Sequence, residues 1–171
     1  MTVKAKPGHN KNPASTPESS PASGNQVRYE SYLQLDKLLA AQQPITQKPE
    51  HDEMLFIIQH QVAELWFKLM LHEIDAAIVC FQQDELARSI KILNRVKQVQ
   101  HQLISQWSVL ATLTPTEYST FRDALGSASG FQSPQYRLLE FKLGNKDRSA
   151  LPRFGHHLEY YRQLKHALES P

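Results

Sequence analysis

The chain has 171 residues, with 19 Lys or Arg against 17 Asp or Glu and a formal net charge of +2 at pH 7. That length suits one domain with its own core, and the basic residues are too interspersed to favour nucleic acid as a partner. Cys80 is the only cysteine, which excludes a disulfide framework and a cysteine metal site. The apolar run around it carries charged side chains, and no apolar signal follows Met1. We therefore expect no membrane span and a cytoplasmic protein.

Residues 1–27 are rich in Pro, Ser, Asn and Gly, and this composition predicts a disordered tail before one all-α domain over 28–171. The domain begins with leucines and tyrosines at helical spacing over 29–43, which predict a short amphipathic helix that ends before Pro44. Tyr29 and Tyr32 could pack beside the leucines on the apolar face of this helix, line a pocket or contact another subunit. The polar linker that follows slightly favours a subunit contact.

Residues 51–81 form a long stretch without Gly or Pro that is apolar on nearly every side of a helical wheel, so it predicts a helix buried on all sides. Phe56, His60 and Glu64 share one face of it. His60 is either a core histidine bonded to a neighbour or a polar group in the wall of an apolar pocket, and the pattern alone favours the first. His60 and Glu64 supply two metal ligands without a third, so we expect no protein metal site.

A second long helix is predicted over 84–113, with Asp84 as its cap and apolar residues every three or four positions. The short connection predicts antiparallel packing on the first long helix, and Trp107 is expected in the core. No stretch of the chain shows the alternation typical of a strand. The predicted fold is therefore an all-α helical bundle with two long central helices.

A capping box follows, in which Thr114 is the N-cap, proline takes the first helical position and Glu117 the third. Tyr118 and Arg122 lie four residues apart on one face of this helix. The arginine is either paired with a surface carboxylate or, with the tyrosine hydroxyl, recognises a small carboxylate ligand through its planar fork.

The small residues over 126–130 permit a close approach of backbone to a ligand or a turn with positive φ. Ser133 is expected to cap the next helix, which Gly144 ends. A last helix carries one apolar stripe. His156 and His157 precede it, face apart because they are adjacent, and are expected at the surface.

Four stretches together resemble the tryptophan 2,3-dioxygenase family. They read HDEMLFIIQHQ–ELW–K over 51–68, TPTEYSTFRDALG over 114–126, SASGFQSPQYRLLEFKLGNK over 127–146, and YxxYLxLDxLLxxQxP over 29–44. The resemblance implies an all-helical, haem-dependent homotetramer. It also implies insertion of O2 across the indole C2–C3 bond of L-tryptophan, giving N-formyl-L-kynurenine in the first step of the kynurenine pathway.

Residue by residue, the resemblance places the family's distal histidine, near the indole N–H, on His60. Its carboxylate-binding arginine falls on Arg122 with Tyr118 beside it. The apolar substrate wall corresponds to Phe56, Ile57, Ile58 and Gln59. Positions lining the haem b pocket correspond to Trp107, Leu125, Ser129, Gly130 and Tyr136. Tyr29 and Tyr32 match residues that reach the site of a neighbouring subunit.

The family's axial haem histidine and a Gly/Thr-rich loop over the substrate lie beyond the part that matches LGNK, and none of the eight histidines here matches the axial position. The resemblance therefore implies a C-terminally truncated chain that holds haem weakly or not at all by itself. The alternatives are a short non-catalytic relative that binds tryptophan-like ligands or partner subunits, and a purely structural bundle.

Overall fold

The computed structural model describes residues 27–48 and 50–170. The predicted disordered tail lies outside these residues, apart from its last position, and stays a prediction. The described residues form eight α-helices and three short 3-10 segments, with no strand, so the all-α prediction is confirmed. No helix in this part of the chain combines the length and apolar character needed to cross a membrane.

Two compact units divide the chain between Leu39 and Ala40. The described part of the first unit contains α1 (Tyr29–Leu33) and α2 (Leu35–Leu38). The prediction of one continuous helix is wrong here, because Gln34 takes a left-handed conformation with φ 49° between them. Neither helix has a buried residue, so no packing supports a longer one.

The second unit is built on α3 (His51–Gln82), which confirms the long central helix. It is followed by α4 (Leu86–Ser105) and α5 (Trp107–Leu110). Asp84 does not cap α4, contrary to expectation. It has φ 60° and reverses the chain, so α4 packs back against α3.

The main core lies where α3, α4 and α7 (Pro134–Lys142) meet. Its buried residues are Met70, Leu71, Ile74, Val96, Val99 and Leu139. The expectation that α3 is buried on all sides is wrong. An apolar stripe of α3 stays 36–49% exposed because the other helices cover its opposite side, and it consists of Met54, Ile58, Val62 and Leu65.

The C-terminal part contains α6 (Pro115–Arg122) and α8 (Leu158–Glu169), with 3-10 segments at Asp123–Leu125, Gly130–Gln132 and Arg148–Phe154. The capping box of α6 is confirmed: the N–H of Thr114 donates to Glu117 at 2.8 Å, and the N–H of Glu117 donates to the Thr114 hydroxyl at 3.3 Å. The Ser133 cap of α7 is confirmed as well.

Residues 41–46, here called the strap, are held on α3 by two polar side chains. Glu53 is only 1% exposed and accepts hydrogen bonds from the N–H of Ile45 at 2.6 Å and the Thr46 hydroxyl at 2.5 Å. Gln61 donates to the carbonyl of Ala41 at 2.9 Å. The segment predicted as a free linker is therefore an ordered part of the second unit.

Candidate functional site

Aromatic rings from α3 and α6 form one cluster near the middle of the second unit. The Phe56 ring centroid lies 4.1 Å from that of His60, 5.7 Å from Tyr118 and 5.6 Å from Phe121. Phe121 is 1% exposed and meets Tyr118 edge-on at 5.4 Å. This packing brings the two predicted pairs, Phe56 with His60 and Tyr118 with Arg122, onto facing helices.

His60 has one ring nitrogen committed to the backbone. Its Nδ1 lies 2.7 Å from the carbonyl oxygen of Phe56, one turn earlier on α3. A carbonyl only accepts hydrogen bonds, so Nδ1 carries the proton and, in the neutral ring, Nε2 keeps a lone pair. The hydrogen bond thus makes Nε2 a hydrogen-bond acceptor.

Arg122 lies at the end of α6, and its Nη1 donates to the carbonyl of Gly126 at 2.8 Å. Gly126 has φ 56° and ψ −123°, a conformation that a residue with a Cβ rarely adopts. Arg122 as a whole is exposed. The start of the same helix carries Glu117, and hydrogen bonds from the N–H and the hydroxyl of Thr114 lower the pKa of its carboxyl group.

A cavity of about 430 Å³ opens beside His60, between α3, the α4–α5 junction and the start of α7. Its size falls within the range of roughly 300–1,000 Å³ that is usual for small-molecule and cofactor pockets. The lining is mostly apolar and aromatic. It consists of Gln59, His60, Ala63, Glu64, Phe67, Gln106, Trp107, Leu110, Ser129, Gly130, Phe131, Ser133 and Tyr136.

Six residues predicted for the site line this cavity, namely Gln59, His60, Trp107, Ser129, Gly130 and Tyr136. Phe56 and Tyr118 do not line the cavity and belong to the aromatic cluster, in which Phe56 contacts both His60 and Tyr118. Ile57, Leu125 and Arg122 are not among the lining residues, and Ile58 belongs to the exposed stripe on another side of α3. Four consecutive helical residues are distributed over about 300° around the helix axis, so they cannot form one wall.

Tyr29 and Tyr32 lie in the first unit, where their side chains are 71% and 75% exposed. Trp107 is also 61% exposed, so the expectation of a core tryptophan is wrong. Trp107 lines the cavity instead. Sequence reasoning missed the seven other lining residues, namely Ala63, Glu64, Phe67, Gln106, Leu110, Phe131 and Ser133. The helical spacing of Glu64 and Phe67 from His60 was the available signal for those two.

Comparison with known proteins identifies the family. The sequence profile described as tryptophan 2,3-dioxygenase matches residues 14–169. The chain belongs to the tryptophan 2,3-dioxygenase family. It is 56% identical over 147 residues to the tryptophan 2,3-dioxygenase of Arthrobacter sp. (strain FB24), and the match covers 86% of this chain and 52% of that protein.

Similar relatives are the tryptophan 2,3-dioxygenases of Serratia proteamaculans (strain 568) and Geobacillus thermodenitrificans (strain NG80-2). Each is 54% identical over 85% of this chain, and the matches cover 52% and 51% of the relatives. The chain thus spans about half the length of the curated tryptophan 2,3-dioxygenases that it matches.

The walls of the cavity suit a flat tetrapyrrole, the haem that the resemblance implies. Trp107, Phe131 and Tyr136 are lining residues that stay 41–71% exposed, and the space beside Gly130 is open, because a Cβ there would meet no atom within 4 Å. The amide oxygen of Gln106 is buried at this wall without a hydrogen-bond partner among the described residues, which is unusual for a completed core.

The lining supplies one imidazole. His60 is the one histidine among the lining residues, and with its Nδ1 bonded to the backbone it has one ring nitrogen left, Nε2. A metal-binding histidine commonly has its other nitrogen bonded in this way, so Nε2 can accept either iron or a substrate N–H, but not both. Within 27–48 and 50–170 there is no cluster of three or more His, Cys, Asp or Glu side chains that could hold a metal ion. The aromatic lining suits the face of a macrocycle, and if His60 binds the substrate, haem iron needs another protein ligand.

Proposed function

We propose that this chain carries the substrate-facing half of a haem-dependent tryptophan 2,3-dioxygenase. The reaction combines L-tryptophan with O2, breaks the indole C2–C3 bond and yields N-formyl-L-kynurenine, with both oxygen atoms retained in the product. This is the entry step of tryptophan degradation by the kynurenine pathway. The proposal rests on the family and on the geometry around His60.

The observation that carries the proposal is the hydrogen bond from His60 Nδ1 to the Phe56 carbonyl at 2.7 Å. It leaves Nε2 as an acceptor on a residue that lines the cavity. The indole N–H of tryptophan is a donor and needs such an acceptor in an apolar site. His60 would hold the indole by this bond, with the Phe56 ring as an apolar neighbour.

Arg122 is proposed to bind the substrate carboxylate, and the Tyr118 hydroxyl to donate to it. The support is the common face of α6 that they share and the contact of Tyr118 with Phe56 at 5.7 Å. The hydrogen bond of 2.8 Å from Arg122 to the Gly126 carbonyl orients the guanidinium. It leaves further N–H donors of Arg122 for a bidentate pair with the substrate carboxylate. Ile57 and Ile58 contribute, in the same proposal, to the apolar surroundings of the substrate, whereas Leu125 belongs to the proposed haem pocket.

Haem b, when bound, supplies the activation of O2. Trp107, Ser129, Gly130 and Tyr136 are the residues of this chain that would hold the macrocycle. The chain's own contribution is orientation: the aromatic cluster and the cavity keep water away from the indole while His60 and Arg122 hold its two ends.

A homotetramer in the cytoplasm belongs to the same proposal. Tyr29 and Tyr32, exposed on the short helix α1, are proposed to contact the substrate site of a neighbouring subunit. Large exposed aromatic side chains on a segment without buried residues are typical of an interface.

The test is to load the purified chain with haem, reduce it and supply L-tryptophan with ¹⁸O-labelled O2. Mass spectrometry should detect N-formylkynurenine that carries two labelled oxygen atoms. His60→Leu should lower the yield by about tenfold or more, since it removes one hydrogen bond to the substrate in a dry site. His101→Leu, at an exposed position of α4, is the control and should behave as the wild type.

The absence of product from loaded wild-type chain would contradict catalysis by this chain. Calorimetric titration with L-tryptophan then distinguishes the alternatives. Retained binding that depends on His60 and Arg122 would support a non-catalytic relative that binds tryptophan-like ligands, and no binding would leave only a structural role.

A further inference from the structure

We propose that Gln59 and Gln135 are positioning residues that set the separation between the two aromatic walls of the cavity, Trp107 and Tyr136. The inference rests on the proposed function, because it assigns these walls to a flat tetrapyrrole. Neither glutamine contacts the reacting atoms in this proposal. Gln135 acts through Tyr136 and Gln59 acts through Trp107, because each hydrogen bond fixes the backbone directly before that aromatic residue.

Gln135 joins the start of α7 to the middle of α3. Its Nε2 donates to the Glu64 carboxylate at 2.7 Å and to the Glu64 backbone carbonyl at 3.0 Å. Both side chains are half-buried, and a hydrogen bond to a charged acceptor is about twice as strong as a neutral one. Gln135 directly precedes Tyr136, so this bridge fixes the backbone one residue from the ring that lines the cavity.

Gln59 makes the corresponding bridge on the other side. Its Nε2 donates to the backbone carbonyl of Gln106 at 3.0 Å. Gln106 is the junction at which α4 ends and α5 begins, and it directly precedes Trp107. A junction between two helices is a point where the backbone can hinge, and the bridge holds this one against α3.

The two bridges matter because packing alone does not hold the walls. Trp107 is 61% exposed and Tyr136 is 41% exposed, and the Tyr136 ring has one aromatic neighbour, Phe67, at 5.6 Å. Exposed side chains gain little from burial, so their positions follow the backbone that carries them. Both bridges start from residues of α3 that lie within one turn or so of His60. This stretch of α3 therefore fixes the positions of both walls relative to His60.

The test measures binding of protoporphyrin IX, a flat tetrapyrrole without iron, so that coordination of iron does not affect the result. Gln135→Glu has nearly the same shape but replaces the donor with an acceptor that faces Glu64. It should weaken porphyrin binding to the full chain by about tenfold, as expected for one charge-assisted hydrogen bond. Gln59→Leu, on the other bridge, should weaken it as well.

A matched control exists on α8, where Gln163 donates to Glu159 at 2.8 Å on an exposed face. Gln163→Glu makes the same chemical change and should alter porphyrin affinity by less than about twofold, because exposed pairs contribute little. Gln135→Lys restores a donor towards Glu64 and should recover most of the affinity. Circular dichroism and urea denaturation of each variant verify that the fold is retained.

The outcomes separate the two proposals. If wild-type chain does not bind the porphyrin, the haem pocket is refuted together with this inference. If wild-type chain binds it and Gln135→Glu and Gln59→Leu bind equally well, only the positioning role is refuted. Equal losses in Gln135→Lys and Gln135→Glu would also refute it, because a restored donor should then have helped.

Discussion

The buried carboxylate of Glu53 holds the strap on α3. Replacement of Glu53 by alanine tests how much its hydrogen bonds contribute to the stability of the second unit. The carboxylate accepts hydrogen bonds from the Ile45 N–H at 2.6 Å and the Thr46 hydroxyl at 2.5 Å, and a longer one from the Thr46 N–H at 3.4 Å. Glu53→Ala removes all three and leaves donors of the strap without a partner.

The expected loss of stability follows from these contacts. Hydrogen bonds to a charged group contribute about 1.5–3 kcal/mol each, and two of the three are short. Removal of the buried charge recovers part of its desolvation cost, so we expect a net loss of about 3 kcal/mol in the free energy of unfolding. With a urea dependence of about 2 kcal/mol per molar, the unfolding midpoint should fall by roughly 1.5 M.

The effect also has a pH dependence. Burial raises the pKa of Glu53, but hydrogen bonds from the Thr46 hydroxyl and the N–H groups of Ile45 and Thr46 outweigh it and hold the pKa below its ordinary value of 4.5. A lowered pKa in the folded state means that this stabilisation is complete above that ordinary value and is lost as the pH falls through the lowered one. The difference between wild type and Glu53→Ala should therefore shrink in acid.

Urea denaturation followed by circular dichroism, at pH 7 and at several acidic values, measures both effects. Asp52→Asn is the matched control, since Asp52 is the other acidic residue in the first turn of α3. It should cost less than about 1 kcal/mol, the usual size of a charge effect at a helix terminus. Equal losses for Asp52→Asn and Glu53→Ala would refute the role of the strap.

Three further predictions concern the aromatic cluster and α6. Phe121→Ala should lower the free energy of unfolding by about 3–5 kcal/mol, because the ring is 1% exposed and contacts Phe56 and Tyr118; a loss below 1 kcal/mol in urea denaturation would contradict this packing. Gly126→Ala should cost about 1–3 kcal/mol through backbone strain at φ 56°, although no atom lies near the added Cβ, and a thermal melt that matches the wild type would count against that strain. Arg122→Lys keeps the charge but loses the planar fork, so under the proposed function it should weaken L-tryptophan binding by about tenfold in calorimetry, and unchanged affinity would remove the carboxylate role.

Local signals in the sequence were sufficient for several elements. The absence of Gly and Pro over 51–81 predicted α3 within one residue of its observed end. The capping box at Thr114 and the Ser–Pro start at Ser133 located α6 and α7, because capping is decided by residues three apart in the chain. The pairs Phe56 with His60 and Tyr118 with Arg122 were found by the same four-residue spacing.

Other features depend on residues that are far apart in the sequence. Asp84 and Gln34 take left-handed conformations that neither residue type requires, and the break at Gln106 falls inside a continuous amphipathic pattern. The burial of Glu53 under the strap and the bridge from Gln135 to Glu64, 71 residues apart, have no local signal. Ile58 shows the same limit, since an apolar residue on a helix does not indicate which side the neighbouring helices cover.

The sequence by itself determined the all-α class, the long helix α3, the caps of α6 and α7, and the family, because these follow from short-range spacing and from residue identities that can be compared directly. Only the tertiary structure decided that His60 lines a cavity with its Nδ1 bonded to the backbone, that Trp107 lines the same cavity and that Arg122 is bonded to the carbonyl of Gly126. The physical reason is that a site is formed by the packing of separate helices, and long-range contacts set which donors and acceptors remain available to a ligand.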